Sequence, residues 1–221
     1  MRIRLYLFSI LCVAATWTGS RAQNDDAPTK SAFETSAKGW VDLPTTMKEW
    51  KRVPPNAKAK LATKNPWSFG DDQVLHCDGG YEMLLYAKVQ TNGIFHVEWR
   101  FKKAEKTAVK TGILVRTALD GAVWHSAEGG NKTGGAFVGA TLFDGKAAKV
   151  PKNLTSKIAR VNEAGQWNIY EITAKDKTLT LWANGFITAE WPVCDVAKGL
   201  IGFRADGAAV EFKNMKFKRV R

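Results

Sequence analysis

The sequence predicts an all-β domain: a sandwich of two packed antiparallel sheets. Three observations predict it. Short apolar runs recur along the chain, broken every few residues by Pro, Gly, Asn or Asp turn signals. One run, 94–101, alternates strictly, with Phe95, Val97, Trp99 and Phe101 against His96, Glu98 and Arg100. No amphipathic helical pattern of ten or more residues follows residue 22.

Residues 1–22 read as an export signal. Arg2 and Arg4 make a basic start, an apolar run to Trp17 is too short to span a membrane, and Ser20-Arg21-Ala22 is a small-x-small cleavage site. Cys12 follows Leu11 rather than a small residue, which argues against a lipid-attachment cysteine. The mature chain is therefore expected outside the cytoplasm, with no transmembrane segment. Residues 23–38 are polar and read as a flexible leader; residues 39–221 read as a single β-sandwich domain.

From 39 to 92 the apolar pieces are 40–43, 50–53, 67–69, 74–77 and 83–89, punctuated by Pro54-Pro55, Asn65-Pro66, Asp71-Asp72 and Gly79-Gly80. Those are strands and turns. On 94–101 the aromatics take one face and the charges the other, so the charged face reads as an open sheet surface suited to a groove. Next, 111–116 reads as a strand ending in Arg116, followed by a loop carrying Trp124, His125 and Glu128, and by a strand at 136–143. Residues 146–164 are polar and lysine-rich and read as the longest surface loop. Five strands close the chain, at 167–173, 178–183, 186–191, 199–204 and 209–218. Asn184-Gly185 marks a two-residue hairpin, because both central positions of such a turn need positive φ.

The net charge of +12 falls to +9 without residues 1–22, which carry Arg2, Arg4 and Arg21 and no acid. The lysines are scattered among polar and apolar residues, and no nucleic-acid recognition motif accompanies them, so solvated strand faces account for the charge and no nucleic-acid partner is expected. Cys77 and Cys194 lie beyond the signal. An oxidising compartment allows a disulfide between them, and two separate buried thiols are equally compatible with the sequence. No nucleophile elbow, phosphate loop, paired-cysteine metal motif or nucleotide fingerprint occurs.

The order of the pieces adds what periodicity does not. Gly39-Trp40-Val41-Asp42-Leu43, the 95–100 strand, Thr111-Gly112-Ile113-Leu114-Val115-Arg116, Thr133-Gly134-Gly135-Ala136-Phe137, Gly165-Gln166-Trp167-Asn168, Leu181-Trp182-Ala183-Asn184-Gly185, Gly199-Leu200-Ile201-Gly202-Phe203 and 210–216 together resemble the 3-keto-disaccharide hydrolase domain family. The resemblance implies a concanavalin-like jelly roll, export to the periplasm or cell surface, and hydrolysis of glycosides whose sugar carries a ketone at C3. Two departures stand out. Where members of that family read Asn-Ser-Gly, this chain has Lys110-Thr111-Gly112; where they carry Glu-x-Gln, it has Glu128-Gly129-Gly130.

Cleavage of a 3-keto-glycoside by proton abstraction at C2 requires a base, a stabiliser for the enolate oxygen and a proton donor for the leaving group. On residue type the assignment is Glu128 as base or metal ligand, Arg116 as oxyanion stabiliser and His125 as acid or ligand. A loop carboxylate beside lysines, a strand-end arginine paired with Glu98 and a packed histidine are the structural counterparts of those roles. His96, Glu98, His125 and Glu128 are candidates for holding a divalent metal ion, should they converge. Sugar contacts are assigned to Trp124, His96, Glu98, Arg100 and Trp182. Nine tryptophans, Trp17 in the signal, suit a carbohydrate ligand, although Trp99 falls with the apolar face and Trp124 could equally plug its loop. A non-catalytic carbohydrate-binding or structural module is the alternative function on such a scaffold.

Overall fold

The computed structural model describes residues 28–56, 58–131, 133–151 and 160–221. Fifteen strands occur among them: β1 (Trp40–Asp42), β2 (Trp50–Val53), β3 (Trp67–Phe69), β4 (Leu75–Cys77), β5 (Met83–Tyr86), β6 (Gly93–Phe101), β7 (Lys110–Thr117), β8 (Trp124–Gly130), β9 (Ala136–Phe143), β10 (Lys146–Lys149), β11 (Asn168–Lys175), β12 (Thr178–Ala183), β13 (Phe186–Trp191), β14 (Leu200–Asp206) and β15 (Val210–Arg219). They form two antiparallel sheets. Sheet 1 has the order β13-β12-β11-β6-β15-β4-β3, with β1 also paired to β15; sheet 2 has the order β10-β9-β8-β7-β14-β5-β2. Neighbours far apart in sequence, such as β6 beside β15 and β14 beside β7, give the crossed connections of a jelly roll.

The core lies between the sheets and follows from alternation. From sheet 1, Phe95, Val97, Trp99, Tyr170, Ile172, Leu181 and Phe212 point inward; from sheet 2, Ile113, Val115, Ala127, Phe137 and Phe203 meet them. Phe203 bridges the layers, its ring 4.2 Å from that of Phe212 and 5.9 Å from that of Phe95. Gly129 is required on β8 because a Cβ there would fall 2.5 Å from the indole of Trp99. Asn184 and Gly185, at φ 47° and 101°, make the tight turn between β12 and β13.

Several expectations are corrected. Residues 124–130 are not a loop but strand β8, paired on both sides by β7 and β9. The run Ser-Ala-Glu-Gly-Gly has little strand propensity of its own; two neighbours supply its ladder, and its small residues let the large rings of sheet 1 approach. Residues 146–149, expected within a long loop, form the edge strand β10, whose lysines suit an exposed edge. Residues 152–159 of that stretch lie outside the described residues, as do residues 1–22, which the sequence reads as an export signal.

The leader also differs from its expected flexibility over residues 28–38. Ser31 caps a short helix α1 (Ala32–Thr35), accepting from the Glu34 amide while the Glu34 carboxylate accepts from the Ser31 amide. The α1 amides of Ala32 and Phe33 donate to the Glu171 carboxylate at 2.5 and 3.0 Å, and the Thr29 amide donates to the Gly185 carbonyl. This strap lies over the outer face of sheet 1. Cys77 and Cys194 are separate, buried thiols. Burial pushes the Cys77 thiol up to about 12 and raises Cys194 too, so both stay protonated and unreactive at neutral pH.

Candidate functional site

Alternation along β8 splits the predicted residues between two environments. Trp124, Ser126 and Glu128 face outward from sheet 2; His125, Ala127 and Gly129 face the core. His125 is fully buried. Its Nε2 lies 3.0 Å from Thr141 Oγ1 and its Nδ1 3.2 Å from the Arg116 carbonyl, with the Trp191 ring alongside. Burial lowers its pKa from 6.5 to about 4, so it is a neutral core residue on the opposite side of its strand from Glu128.

Arg116 is displaced from the expected site as well. It sits at φ 47°, where the β14–β7 register shifts, and is 2% exposed. Its side chain lines a 10 Å³ cavity inside the sandwich with Phe95, Val115 and Ile201. One guanidinium nitrogen reaches Asn92 Oδ1 at 3.4 Å, while Nε and Nη1 are buried without partners. Glu98 does not pair with it: that carboxylate is held on sheet 1 by Lys213 at 3.3 Å and Asn214 at 2.6 Å.

The charged face of β6 is not an open groove. His96 is buried under α1, 2.8 Å from Glu171 and flanked by the rings of Phe33 and Trp40. Arg100 pairs with Glu211 at 2.7 Å, and Trp182 donates through Nε1 to Thr29 Oγ1 at the strap. The four metal candidates are therefore scattered: His96 and Glu98 outside sheet 1, His125 in the core, Glu128 outside sheet 2. Among the described residues no three His, Cys, Asp or Glu side chains converge as a metal site would need.

What does converge is a cluster on the outer face of sheet 2. The register places Arg204 (β14), Gly112 (β7) and Glu128 (β8) in one row across three strands, with Lys110 and Asp206 one step further along. Lys110 Nζ donates to both Glu128 oxygens, at 3.0 and 3.1 Å, and Thr133 Oγ1 donates to Oε1 at 3.2 Å. Arg204 Nη2 stands 3.9 Å from Glu128 Oε2 and 3.5 Å from Asp206 Oδ2, and its guanidinium lies over the Trp124 ring at 4.9 Å. Gly112 leaves the room for this: a Cβ there would fall 2.0 Å from Ser126 Oγ and 3.5 Å from Arg204 Nε.

Two polar atoms of the cluster, Ser126 Oγ and Arg204 Nε, are buried and have no hydrogen-bond partner. Such atoms cost stability unless a water or a ligand meets them. The cluster thus offers a carboxylate that accepts, two cations and a free guanidinium N–H within one patch, beside an indole. Lys110 is the more exposed member, its side chain 42% exposed against 9% for Glu128.

Arg204, Ser126, Thr133 and Asp206 are absent from the sequence-derived site. Arg204 was within reach of alternation: Ile201, Phe203 and Ala205 are inward, which leaves Leu200, Gly202 and Arg204 outward with Glu128.

Solved structures share the two-sheet jelly-roll fold. A carbohydrate-binding module from Bacillus subtilis superposes with a TM-score of 0.57 at 10% identity, over 77% of this chain and 95% of that one. LamA from Z. galactanivorans, solved with laminaritriose and laminaritetraose, gives 0.54 at 9% identity over 78% and 92%. The β-glucanase of Bacillus licheniformis gives 0.50 at 9% identity over 88% and 97%. No curated protein matches the sequence. The model of the 3-keto-alpha-glucoside-1,2-lyase-like domain matches residues 29–218, and the chain belongs to that family. The match begins inside the strap, in keeping with residues 29–38 packing on the domain.

Proposed function

We propose that this protein is an exported hydrolase of glycosides whose sugar carries a ketone at C3, with Glu128, Lys110 and Arg204 as its working groups. The observation that carries this reading is the outward patch of sheet 2, where two cations and two unpartnered polar atoms surround one carboxylate. The family supports the substrate class. The basic, then apolar, then small-residue pattern of residues 1–22 supports export.

In this chemistry the ketone makes the C2 hydrogen acidic. Glu128 takes that proton, the electron pair moves into the enolate, and the C1–O bond breaks as the departing oxygen gains a proton. Water then adds across the C1–C2 double bond, its hydroxyl to C1 and a proton to C2. One glycoside and one water give a 3-keto sugar and a free alcohol. Arg204, whose Nε is unspent, takes the enolate-stabilising role first assigned to Arg116. Lys110 must swing off Glu128 to free the base, and can then protonate the departing oxygen.

The double hydrogen bond from Lys110 to Glu128 favours a second reading, a carbohydrate-binding module whose carboxylate is neutralised. Turnover of a chromogenic 3-keto-glucoside separates the two. We expect turnover by the wild type, a loss of about 10²–10⁴-fold in Glu128→Gln, and a loss of about 10²-fold in Arg204→Leu. Unchanged turnover in both variants overturns the site. No turnover with saturable glycan binding selects the module.

A further inference from the structure

Arg116 is a buried cation with no acid beside it. Arg52, Arg100 and Arg204 are all more exposed, and each has a carboxylate within reach: Glu82 at 2.6 Å, Glu211 at 2.7 Å, and Asp206 at 3.5 Å with Glu128 at 3.9 Å. Arg116, 2% exposed, forms no ion pair among the described residues. A guanidinium keeps its proton at any pH the protein meets, so burial cannot neutralise it as it neutralises a lysine or a carboxylate. Left alone at that depth, the charge costs more than a missing hydrogen bond does.

The groups that face it do not supply the missing charge. Asn92 Oδ1 accepts from Nη2 at 3.4 Å and also from the Asp176 amide. The Cys194 thiol, beside the guanidinium, is kept protonated by burial. His125, whose Nδ1 lies 3.2 Å from the Arg116 carbonyl, is neutral. Nε and Nη1 are left without partners. The backbone nevertheless holds the residue in this place. The β14–β7 register shift turns inward a side chain that alternation would leave outward with Leu114, and Arg116 takes a left-handed φ of 47° to do so.

The cavity that Arg116 lines is 10 Å³, room for about one water-sized particle. Phe95, Val115 and Ile201 make apolar walls, and Gln90 and the exposed Thr91 close the side toward solvent. We infer that this cavity binds one small monovalent anion, chloride, as the counter-ion of Arg116. A water in the same place meets the N–H groups but not the charge, and sulfate, phosphate and carboxylates are too large for the space. The site shares no residue with the Glu128 patch, and the proposal stands whether or not the protein is a hydrolase.

Thermal unfolding in sodium chloride against sodium gluconate, at equal ionic strength, tests it. The wild type should gain about 5–10 °C in midpoint at a chloride concentration a hundredfold above Kd, and saturate with concentration. Arg219→Met, which loses an exposed positive charge, should gain as much. Arg116→Met should gain nothing from chloride, and in chloride-free buffer it should be no less stable than the wild type. A wild type indifferent to chloride, or an equal gain in Arg116→Met, overturns the inference. Should Arg116→Met fail to fold, wild-type crystals grown in bromide decide by anomalous scattering. A bromide peak in the cavity against the Arg116 guanidinium supports the site; water there, with bromide only on the outer surface, overturns it.

Discussion

His125 gives the sharpest quantitative consequence of the strand assignment at 124–130. In the folded protein burial holds its pKa at about 4, against 6.5 for a free imidazole. The groups facing it are the Arg116 carbonyl and guanidinium, the Thr141 hydroxyl, the Cys194 thiol at 3.9 Å and the Trp191 ring, none of them an acid able to hold a proton on the ring. Between pH 6.5 and 4 the unfolded chain binds this proton and the folded chain does not. Stability is therefore fully present above pH 6.5 and falls as pH drops toward 4, by about 3 kcal/mol from this residue alone. Urea unfolding of wild type and His125→Gln at pH 7, 6, 5 and 4 reads it out. The variant starts less stable, having lost a buried packed ring, but the gap between the two proteins should narrow by about 3 kcal/mol across the range. Parallel curves would refute the buried, neutral histidine. Should the variant fail to fold, the His125 ring resonances of the wild type, remaining those of a neutral imidazole down to about pH 4, provide the same test.

Arg116→Met should leave turnover at the wild-type level and leave stability unchanged or raise it by about 1–3 kcal/mol, since it replaces a buried guanidinium with two unpartnered nitrogens by an apolar chain of similar reach; lost turnover in a stable variant would return Arg116 to the catalytic site. Glu171→Ala removes the acceptor of the Ala32 and Phe33 amides and of His96, and should cost about 3–5 kcal/mol and speed tryptic cleavage at Lys30 and Lys38 as the strap lifts. An unchanged cleavage rate would show that the strap is held by its aromatic contacts instead.

Much of the fold was legible because period-two patterning is strong wherever one strand face meets the core. β6 reads correctly from Phe95, Val97, Trp99 and Phe101, and the β12–β13 hairpin from Asn184-Gly185. β8 and β10 went unread for different reasons: after Trp124, β8 has only small and polar residues and takes its ladder from β7 and β9, whereas β10 is Lys-Ala-Ala-Lys, and the Asp144-Gly145 turn that folds it back on β9 was the signal passed over. The strap was illegible because its anchor, Glu171, lies far away in sequence on another strand.

Of the candidate site, half was legible. Glu128 and Trp124 were found by residue type, and Lys110 by its departure from the family pattern; all three meet on the outer face of sheet 2. Reading 124–130 as a loop removed the alternation that separates His125 from Glu128, and that one misreading placed a core histidine among the candidate catalytic groups. Arg116 was misplaced because a register shift at the end of β7 breaks the alternation that would have kept it outward. Arg204 went unassigned although its own strand, with Ile201, Phe203 and Ala205 inward, points it to the same face as Glu128.

The central claim is that the Glu128 carboxylate on the outer face of sheet 2 removes the C2 proton of a 3-keto-glycoside. Mass-spectrometric analysis of single-turnover product formed in D₂O measures this directly, with wild type and Glu128→Gln compared against the slow exchange of the sugar alone. The wild type should release a 3-keto sugar carrying deuterium at C2 at the rate of bond cleavage, and Glu128→Gln should do neither above background. Cleavage without deuterium at C2, or equal incorporation by both proteins, would contradict it.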